Sequence, residues 1–98
     1  MIYCFDLDGT LCKTEGSDYE NSTPIQSRID RVNKLYDSGH IIYIETARGS
    51  FSGKDWESFT HNQLCEWGVR YNKLRTGIKF HADIFIDDKG ISDVEFFK

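Results

Sequence analysis

The chain has 98 residues, a formal net charge of −4 at pH 7 and 39% hydrophobic residues. This length predicts one domain over residues 1–98, with a modest core and no room for a separate cap domain. The acidic balance makes nucleic acid an unfavourable partner, and no apolar run is long enough for a membrane span. No signal peptide is predicted, and the three cysteines lack metal-site spacing, so we expect free thiols in the cytoplasm.

The first apolar run of the chain ends in two carboxylates. The apolar residues 2–5 predict a short buried strand. Asp6 ends this strand, and Asp8, Gly9 and Thr10 follow it. Ligands of parallel sheets bind beyond the carboxyl ends of the strands. Two carboxylates this close repel each other unless a cation lies between them, so Mg²⁺ is the expected cofactor.

A polar stretch and then a helix follow. Residues 13–21 contain little apolar surface and predict a loop. Thr23 is the predicted N-cap of the helix, Pro24 its first residue and Gln26 the second half of a capping box, and Gly39 ends it. The predicted apolar face consists of Ile25, Ile29, Val32, Leu35 and Tyr36.

The next strand is predicted over residues 40–45, and Thr46, Ala47, Arg48 and Gly49 follow it. Residues 50–54 predict a second polar loop. Asp55 is expected to cap a second helix, which ends at Gly68. Its predicted apolar side consists of Trp56, Phe59, Leu64 and Trp67.

Two more strands are predicted, over residues 69–74 and 84–86. The first leads to Arg75, and the second leads to Asp87 and Asp88. Residues 91–98 fit either a short helix or an edge strand. The alternation of strands and helices predicts a three-layer α/β fold with a mostly parallel, Rossmann-like sheet and helices on both faces.

Three predicted strands therefore lead into reactive side chains, at Asp6 and Asp8, at Thr46, and at Asp87 and Asp88. In a parallel sheet these strand ends lie at one edge. Two or three of the carboxylates could hold one Mg²⁺, with water and a substrate phosphate completing its coordination.

Residues 6–10, with the sequence DLDGT, resemble the DxDGT signature of the haloacid dehalogenase superfamily, whose members are mostly Mg²⁺-dependent phosphatases. Thr46 matches the second motif of this superfamily and Lys79 the third, and Asp87 and Asp88 match the fourth. The narrower resemblance is to small capless phosphatases, including those encoded with sugar-phosphate or capsule genes. It depends on residues 46–49 and 84–89.

The resemblance implies a role for each catalytic residue. Asp6 would attack phosphorus and form an aspartyl-phosphate. Asp8 would protonate the leaving oxygen and then activate water. Thr46 would donate a hydrogen bond to the phosphate, and Lys79 would neutralise the charge of the nucleophile and the phosphate. Lys73 and Lys89 are the alternatives to Lys79.

The resemblance also implies a metal site. Asp6 would bind Mg²⁺ with its carboxylate and Asp8 with its backbone carbonyl. We expect Asp87 to be the direct third ligand, and Asp88 to bind through water or to orient Lys79. The sequence leaves open which of the two is the direct ligand.

The expected reaction is hydrolysis of a small phosphorylated metabolite, a sugar or polyol phosphate. Ala47, Arg48 and Arg75 are candidate substrate-binding residues, although Arg48 could instead pair with Glu45. Because no cap is present, the walls of the site would come from residues 13–21, residues 50–54 and a neighbouring subunit of a homo-oligomer. Residues 13–21 occupy the position at which members of the resembled family carry a flap over the active site. The composition of these residues alone favours a plain loop.

Rival functions are a receiver-type phosphorylation switch, a nucleic-acid 3′-end phosphatase, a protein phosphatase and a catalytically dead binding module. A receiver carries its reactive aspartate at the end of the third strand, where this chain has none. Two groups of residues are expected to be structural. They are the scattered histidines His40, His61 and His81, and Cys12, which we read as a small core residue.

Overall fold

The computed structural model describes residues 1–50, 52–80 and 82–98. We number the strands and α-helices separately along the chain. The elements are β1 (Ile2–Asp6), β2 (Cys12–Lys13), a 3₁₀ turn (Tyr19–Asn21), β3 (Thr23–Pro24), α1 (Gln26–Asp37), β4 (Ile41–Glu45), α2 (Glu57–Glu66), β5 (Lys73–Arg75) and α3 (Asp93–Phe96).

Three parallel strands form the central sheet, in the order β1, β4, β5. Asp6 of β1 lies beside Glu45 of β4, and Glu45 lies beside Arg75 of β5. The carboxyl ends of all three strands therefore meet at one edge, as the sequence predicts. The chain is thus a small α/β protein built on a parallel three-stranded sheet with helices.

The helices pack on one face of this sheet. Phe5, Ile42 and Ile44 point to that face and are buried in the core together with Ile29 and Val32 of α1. Phe96 of α3 packs edge-on against Tyr3 and Phe5 of the same face. A hydrogen bond of 2.8 Å from Asn33 to the carbonyl of Gly68 joins α1 to the end of α2.

The prediction of helices on both faces is therefore wrong for the described residues. Parallel crossovers are right-handed in nearly all proteins, so two crossovers in the same direction across the sheet, from β1 to β4 and from β4 to β5, place both connecting helices on the same side. Ile2, Cys4 and Ile41 point to the opposite face, and all three are exposed. None of the described helices in this chain is both long and apolar enough to cross a membrane.

The predicted start of the first helix is also wrong. Thr23 and Pro24 pair with Lys13 and Cys12 in a short antiparallel hairpin, β2–β3, which replaces part of the predicted loop. The backbone N–H of Ile25 donates to the carbonyl of Leu11 at 2.9 Å, which keeps the chain extended until α1 begins at Gln26. The capping box therefore does not form.

The helix ends follow the sequence more closely. Gly39 has a positive φ of 92° just after α1, and the N–H of His40 donates to the carbonyl of Leu35 at 3.1 Å. The predicted stop at Gly39 is confirmed. Asp55 accepts a hydrogen bond from the N–H of Glu57 at 2.9 Å, so it supports the first turn of α2 from two residues before its start.

The strand predicted over residues 84–86 is absent. Ile84 and Ile86 are 76% and 96% exposed, and neither takes part in a ladder. A run of three apolar residues does not fix a strand unless a neighbouring strand supplies hydrogen bonds, and β1 is paired only with β4 within the described sheet. The strand predicted over residues 69–74 is shorter and later, at Lys73–Arg75, and the tail forms the helix α3.

Candidate active site

A tight turn after β1 sets the direction of both N-terminal carboxylates. The carbonyl of Leu7 accepts hydrogen bonds from the N–H groups of Thr10, Leu11 and Cys12, at 3.1, 2.8 and 3.3 Å. Gly9 has a φ of +85°, a conformation that other residues rarely adopt. Leu7 itself is fully buried. The alternation at the end of the strand therefore places the Leu7 side chain in the core, and Asp6 and Asp8 at the edge of the sheet.

Asp6 pairs with Lys79, which is 73 residues away in sequence. The ammonium of Lys79 lies 3.1 Å from Oδ1 of Asp6, and the hydroxyl of Thr10 donates to Oδ2 at 3.4 Å. All three residues line one cavity of about 800 Å³ beside β1. Lys79 also lies 5.3 Å from the ring centre of Phe85. Of the three candidate lysines, Lys79 is therefore the one found on Asp6.

Asp8 pairs with Arg48 through both carboxylate oxygens. Nη2 of Arg48 lies 2.8 Å from Oδ1, and Nε lies 3.0 Å from Oδ2. The hydroxyl of Thr14 donates to Oδ1 at 2.6 Å. Partial burial raises the pKa of Asp8, but the hydrogen bonds from Arg48 and Thr14 outweigh burial and hold the pKa below its ordinary value. Asp8 is therefore a carboxylate at neutral pH.

Thr46 connects the turn after β4 to the same carboxylate. It is 1% exposed, and its hydroxyl donates to Oδ2 of Asp8 at 3.4 Å and accepts from the backbone N–H of Arg48 at 3.2 Å. Its own N–H donates to the carbonyl of Arg75 on β5 at 3.0 Å. Thr46 therefore lies among Asp8, Arg48 and β5, where the sequence placed it.

The structure also locates the other three candidates for substrate contact or pairing. Arg48 is fully buried and pairs with Asp8, whereas Glu45 lies 4.0 Å from Arg75. Arg75 has an exposed side chain at the same sheet edge, and Ala47 is half-buried in the turn between Thr46 and Arg48. Arg75 is thus the arginine whose guanidinium is open to solvent at this edge.

Asp87 and Asp88 are exposed. Asp87 accepts a hydrogen bond from the N–H of Lys89 at 2.9 Å, and this bond lowers the pKa of Asp87 below its ordinary value. Within residues 1–50, 52–80 and 82–98, no group of three His, Cys, Asp or Glu side chains lies close enough to hold a metal ion. The expected joining of both carboxylate pairs is not seen, although Lys89 and Gly90 line the same cavity as Asp6.

No protein-family model and no curated protein matches the chain. A target protein from Vibrio cholerae, known from its crystal structure, has a similar fold. The two chains are 27% identical, with a TM-score of 0.82 over 98% of this chain and 86% of the other. The likeness supports the small α/β architecture described above.

Several residues of the site were not predicted. Thr14, Thr60 and Gln63 all donate or accept hydrogen bonds around the pair of Asp8 and Arg48. The sequence does contain one signal for two of them. Thr60 and Gln63 are three residues apart, so they lie on one face of the predicted second helix as a pair of polar side chains. No comparable pattern marked Thr14 within a polar stretch.

The described histidines lie away from these contacts, whereas the thiol of Cys12 donates a hydrogen bond to Oδ1 of Asp8 at 3.5 Å. His40 contacts the N-terminal amine at 3.0 Å, His61 bonds to Tyr71, and His81 lies outside the described residues. Cys12 is fully buried, and burial raises the pKa of its thiol to about 11. A neutral thiol in the core has the properties of a small apolar residue.

Proposed function

We propose that this protein is a phosphomonoesterase of the haloacid dehalogenase type, which uses Asp6 as its nucleophile. The observation that carries the proposal is the contact of 3.1 Å between Lys79 and Asp6 at a cavity of about 800 Å³. A lysine on a partly exposed carboxylate lowers the charge repulsion that a phosphate dianion would otherwise meet there. Lys79 is also the residue that matches the third motif of the resembled superfamily.

The proposed reaction has two displacements at phosphorus. In the first, an Asp6 oxygen forms a bond to phosphorus while the bond to the leaving oxygen breaks, which gives an aspartyl-phosphate and an alcohol. In the second, water attacks the same phosphorus, the bond to Asp6 breaks, and inorganic phosphate leaves. Lys79 would stabilise the phosphoryl oxygens in both steps, because phosphoryl transfer depends mainly on positioning and charge neutralisation.

Asp8 is the proposed acid and base of the two displacements. Its carboxylate, held by the guanidinium of Arg48 and the hydroxyl of Thr14, is the form that removes a proton from water in the second displacement. That transfer leaves Asp8 protonated, which is the form that protonates the leaving oxygen of the next substrate. The proposal therefore assigns Asp8 as acid in the first step and as base in the second.

Mg²⁺ fits the oxygen donors available at this edge, because hard dications prefer carboxylate and carbonyl oxygens. Asp6 and the backbone carbonyl of Asp8 would hold it. Asp87 or Asp88, whose side chains the structure leaves apart from Asp6 and Asp8, would have to approach from the turn whose Lys89 and Gly90 line the same cavity. When bound, the ion would polarise the phosphoryl group and offset the charge of the carboxylates.

The proposed substrate is a small sugar or polyol phosphate, and the proposed partner is a second copy of the chain. The cavity of about 800 Å³ beside Asp6 is large enough for a small ligand, and Thr10, Lys79 and Lys89 of its lining could donate hydrogen bonds to one. The exposed guanidinium of Arg75 is available at the same edge for anionic or hydroxyl groups. All three cysteines are free, two of them exposed, which fits the reducing conditions of the cytoplasm.

A screen of phosphate release tests the proposal. Sugar phosphates, polyol phosphates, nucleotides, phosphopeptides and 3′-phosphorylated oligonucleotides would each be incubated with the protein and Mg²⁺. We expect release from the sugar and polyol phosphates, and loss of release in Asp6→Asn and in excess chelator. Asp83→Asn, at an exposed aspartate, is the matched control and should retain activity. Turnover retained by Asp6→Asn would show that Asp6 is not the nucleophile.

The same screen separates the rival functions. A receiver domain would keep its phosphoryl group and release phosphate slowly, but β5, the third strand of the parallel sheet, ends at Arg75 and carries no aspartate. Activity confined to phosphopeptides or to oligonucleotide ends would replace the small metabolite with a macromolecular substrate.

A further inference from the structure

Arg48 uses almost its whole guanidinium inside the protein. It makes four side-chain hydrogen bonds, two to Asp8, one of 3.2 Å to Thr60 and one of 2.8 Å to Gln63. The ring of Tyr19 covers one face of the guanidinium at 4.6 Å. Arg48 is 0% exposed. An arginine that binds substrate must present its fork to the cavity, and four of the five N–H donors of this guanidinium are already bonded within the protein.

The partners of Arg48 belong to three different parts of the chain. Asp8 lies in the turn after β1, Thr60 and Gln63 lie on α2, and Tyr19 lies in the 3₁₀ turn between β2 and β3. The side chain of Gln63 also donates to the carbonyl of Tyr19 at 2.8 Å, which fastens the same turn to α2. The guanidinium is therefore the point where these three segments meet.

The hairpin segment, residues 12–24, reaches Asp8 by a second route. Thr14 donates to Oδ1 of Asp8 at 2.6 Å, and its hydroxyl also lies 2.6 Å from that of Ser22. Thr14 near the start of the segment and Tyr19 in its middle thus both contact the pair of Asp8 and Arg48. If the segment moved away, Asp8 would lose the hydrogen bonds from Thr14 and Cys12, and Arg48 would lose its aromatic cover. The position of the segment and that of the carboxylate therefore depend on each other.

We propose that Arg48 is a positioning residue that fixes the carboxylate of Asp8 and holds the hairpin segment against it. This inference rests on the proposed function, because it gives Asp8 its orientation for the leaving oxygen and the attacking water. In this arrangement Arg48 acts through Asp8 and does not touch the phosphate. The hairpin segment then stays packed against the pair of Asp8 and Arg48 only while Asp8 is in place.

A double-mutant cycle between Asp8→Asn and Arg48→Gln tests this role. With an alkyl phosphate, we expect Arg48→Gln to lower kcat by about 10²-fold, within the usual range for lost acid–base catalysis. KM should change much less. In the Asp8→Asn background, Arg48→Gln should cause little further loss, because both substitutions remove the same function. Arg48→Lys should restore only part of the rate, because an ammonium cannot make the bidentate contact.

The choice of substrate adds a measurement that a merely structural role would not affect. A nitrophenyl phosphate, whose leaving group needs no proton, should lose less first-step rate in Arg48→Gln than an alkyl phosphate. Arg70→Gln is the control, since Arg70 makes an exposed ion pair with Asp37 away from the site. Full additivity in the cycle, or a rise in KM with kcat unchanged, would overturn the proposal and make Arg48 a substrate-binding residue.

Hydrogen exchange separates this inference from the proposed function, because it needs no turnover. Asp8→Ala should speed amide exchange in residues 12–24 at least several-fold, while exchange in α1 stays as in the wild type. Tyr19→Leu, which keeps the pair of Asp8 and Arg48 intact, should speed exchange in the same segment alone. Unchanged exchange in residues 12–24 of both variants would overturn the coupling, even if the protein were an active phosphatase.

Discussion

At the scale of single residues, the turn after β4 depends on Gly49. Its φ is +84°, and a Cβ at this position would overlap the backbone carbonyl oxygen of Lys54. Gly39 has a similar φ of +92°, but a Cβ there would meet nothing within 4 Å. An alanine at either position would therefore have the same backbone strain, but only an alanine at position 49 would also overlap a neighbouring backbone atom.

We expect Gly49→Ala to lower the free energy of unfolding by more than Gly39→Ala. The positive φ alone costs about 1–2 kcal/mol for an alanine, and the overlap at Gly49 adds to that value because a backbone carbonyl cannot turn aside as a side chain can. Urea denaturation of both variants measures the difference. Equal losses of stability would show that the turn at Gly49 relaxes freely.

A second prediction at this scale concerns the thiols. Burial raises the pKa of Cys12 to about 11, so at pH 8 only about one Cys12 in a thousand is a thiolate. Iodoacetamide should therefore label the exposed Cys65 in the native protein and leave Cys12 unmodified. Peptide mass mapping after timed labelling gives the result, and denatured protein, in which all three cysteines should react, is the control. Rapid native labelling of Cys12 would show that it is not a core residue.

At the scale of elements, α3 is attached to α1 by charge as well as by aromatic packing. Arg28 lies 2.7 Å from Asp93, and its guanidinium lies 4.8 Å from the ring centre of Phe97. The hydrogen bond from Arg28 lowers the pKa of Asp93 below its ordinary value. A group with a depressed pKa stabilises the folded state above its unfolded pKa, about 3.9 for Asp, and this contribution is lost as the pH falls through the lower value.

Asp93→Asn should therefore be destabilising at pH 7 and nearly neutral at acidic pH. We expect a loss of up to about 1 kcal/mol at pH 7, since the pair is partly exposed. The loss should begin to shrink below about pH 4 and vanish once wild-type Asp93 is protonated. Urea denaturation over this pH range measures the change. Asp37→Asn, in the more exposed pair with Arg70, should cost less, and a pH-independent loss in Asp93→Asn would contradict the ion-pair account.

The elements also show which features the sequence made predictable. The apolar runs of β1 and β4 are buried on one face and lead into Asp6 and Thr46, so their strand character and direction were visible in local pattern alone. Thr23 and Pro24 carried a strong helix-start signal, yet they pair with β2. Hydrogen bonding to residues ten or more positions away decided that outcome, and a local propensity does not contain it.

The candidate site likewise contains some residues whose positions the sequence predicts and others whose positions it does not. The positions of Asp6, Asp8 and Thr46 could be predicted because each ends or follows a recognisable apolar strand, and Lys79 could be proposed only from its match to the third motif. The burial of Arg48 could not, because it depends on Thr60 and Gln63 of α2 and on the ring of Tyr19 in the hairpin segment. Likewise, the apolar run at residues 84–86 does not indicate which strand would pair with it, and no strand of the described residues pairs with it.

At the scale of the whole molecule, the sheet has a covered face and an open one. Ile2 and Ile41 are neighbours in the register of β1 and β4, and they are 59% and 40% exposed on the open face. Tyr43 extends the same surface, and the charged residues Glu45, Lys73 and Arg75 lie beside it. Because both signs of charge border one apolar patch, a two-fold contact could place the cations of one copy against the anions of the other.

The proposed second copy therefore fits this open face, and the substitution Ile41→Lys tests it. We expect sedimentation to show a dimer of the wild-type protein at micromolar concentration and a monomer of Ile41→Lys, because a buried ammonium without a partner disfavours the contact. Val94→Lys is the control, since Val94 is 67% exposed on α3, on the helical side of the sheet, and it should leave the dimer intact. If phosphatase activity needs the dimer, Ile41→Lys should lower activity at dilute protein. A wild-type monomer at every concentration used for assays would exclude the second copy and leave the site walls to a single chain.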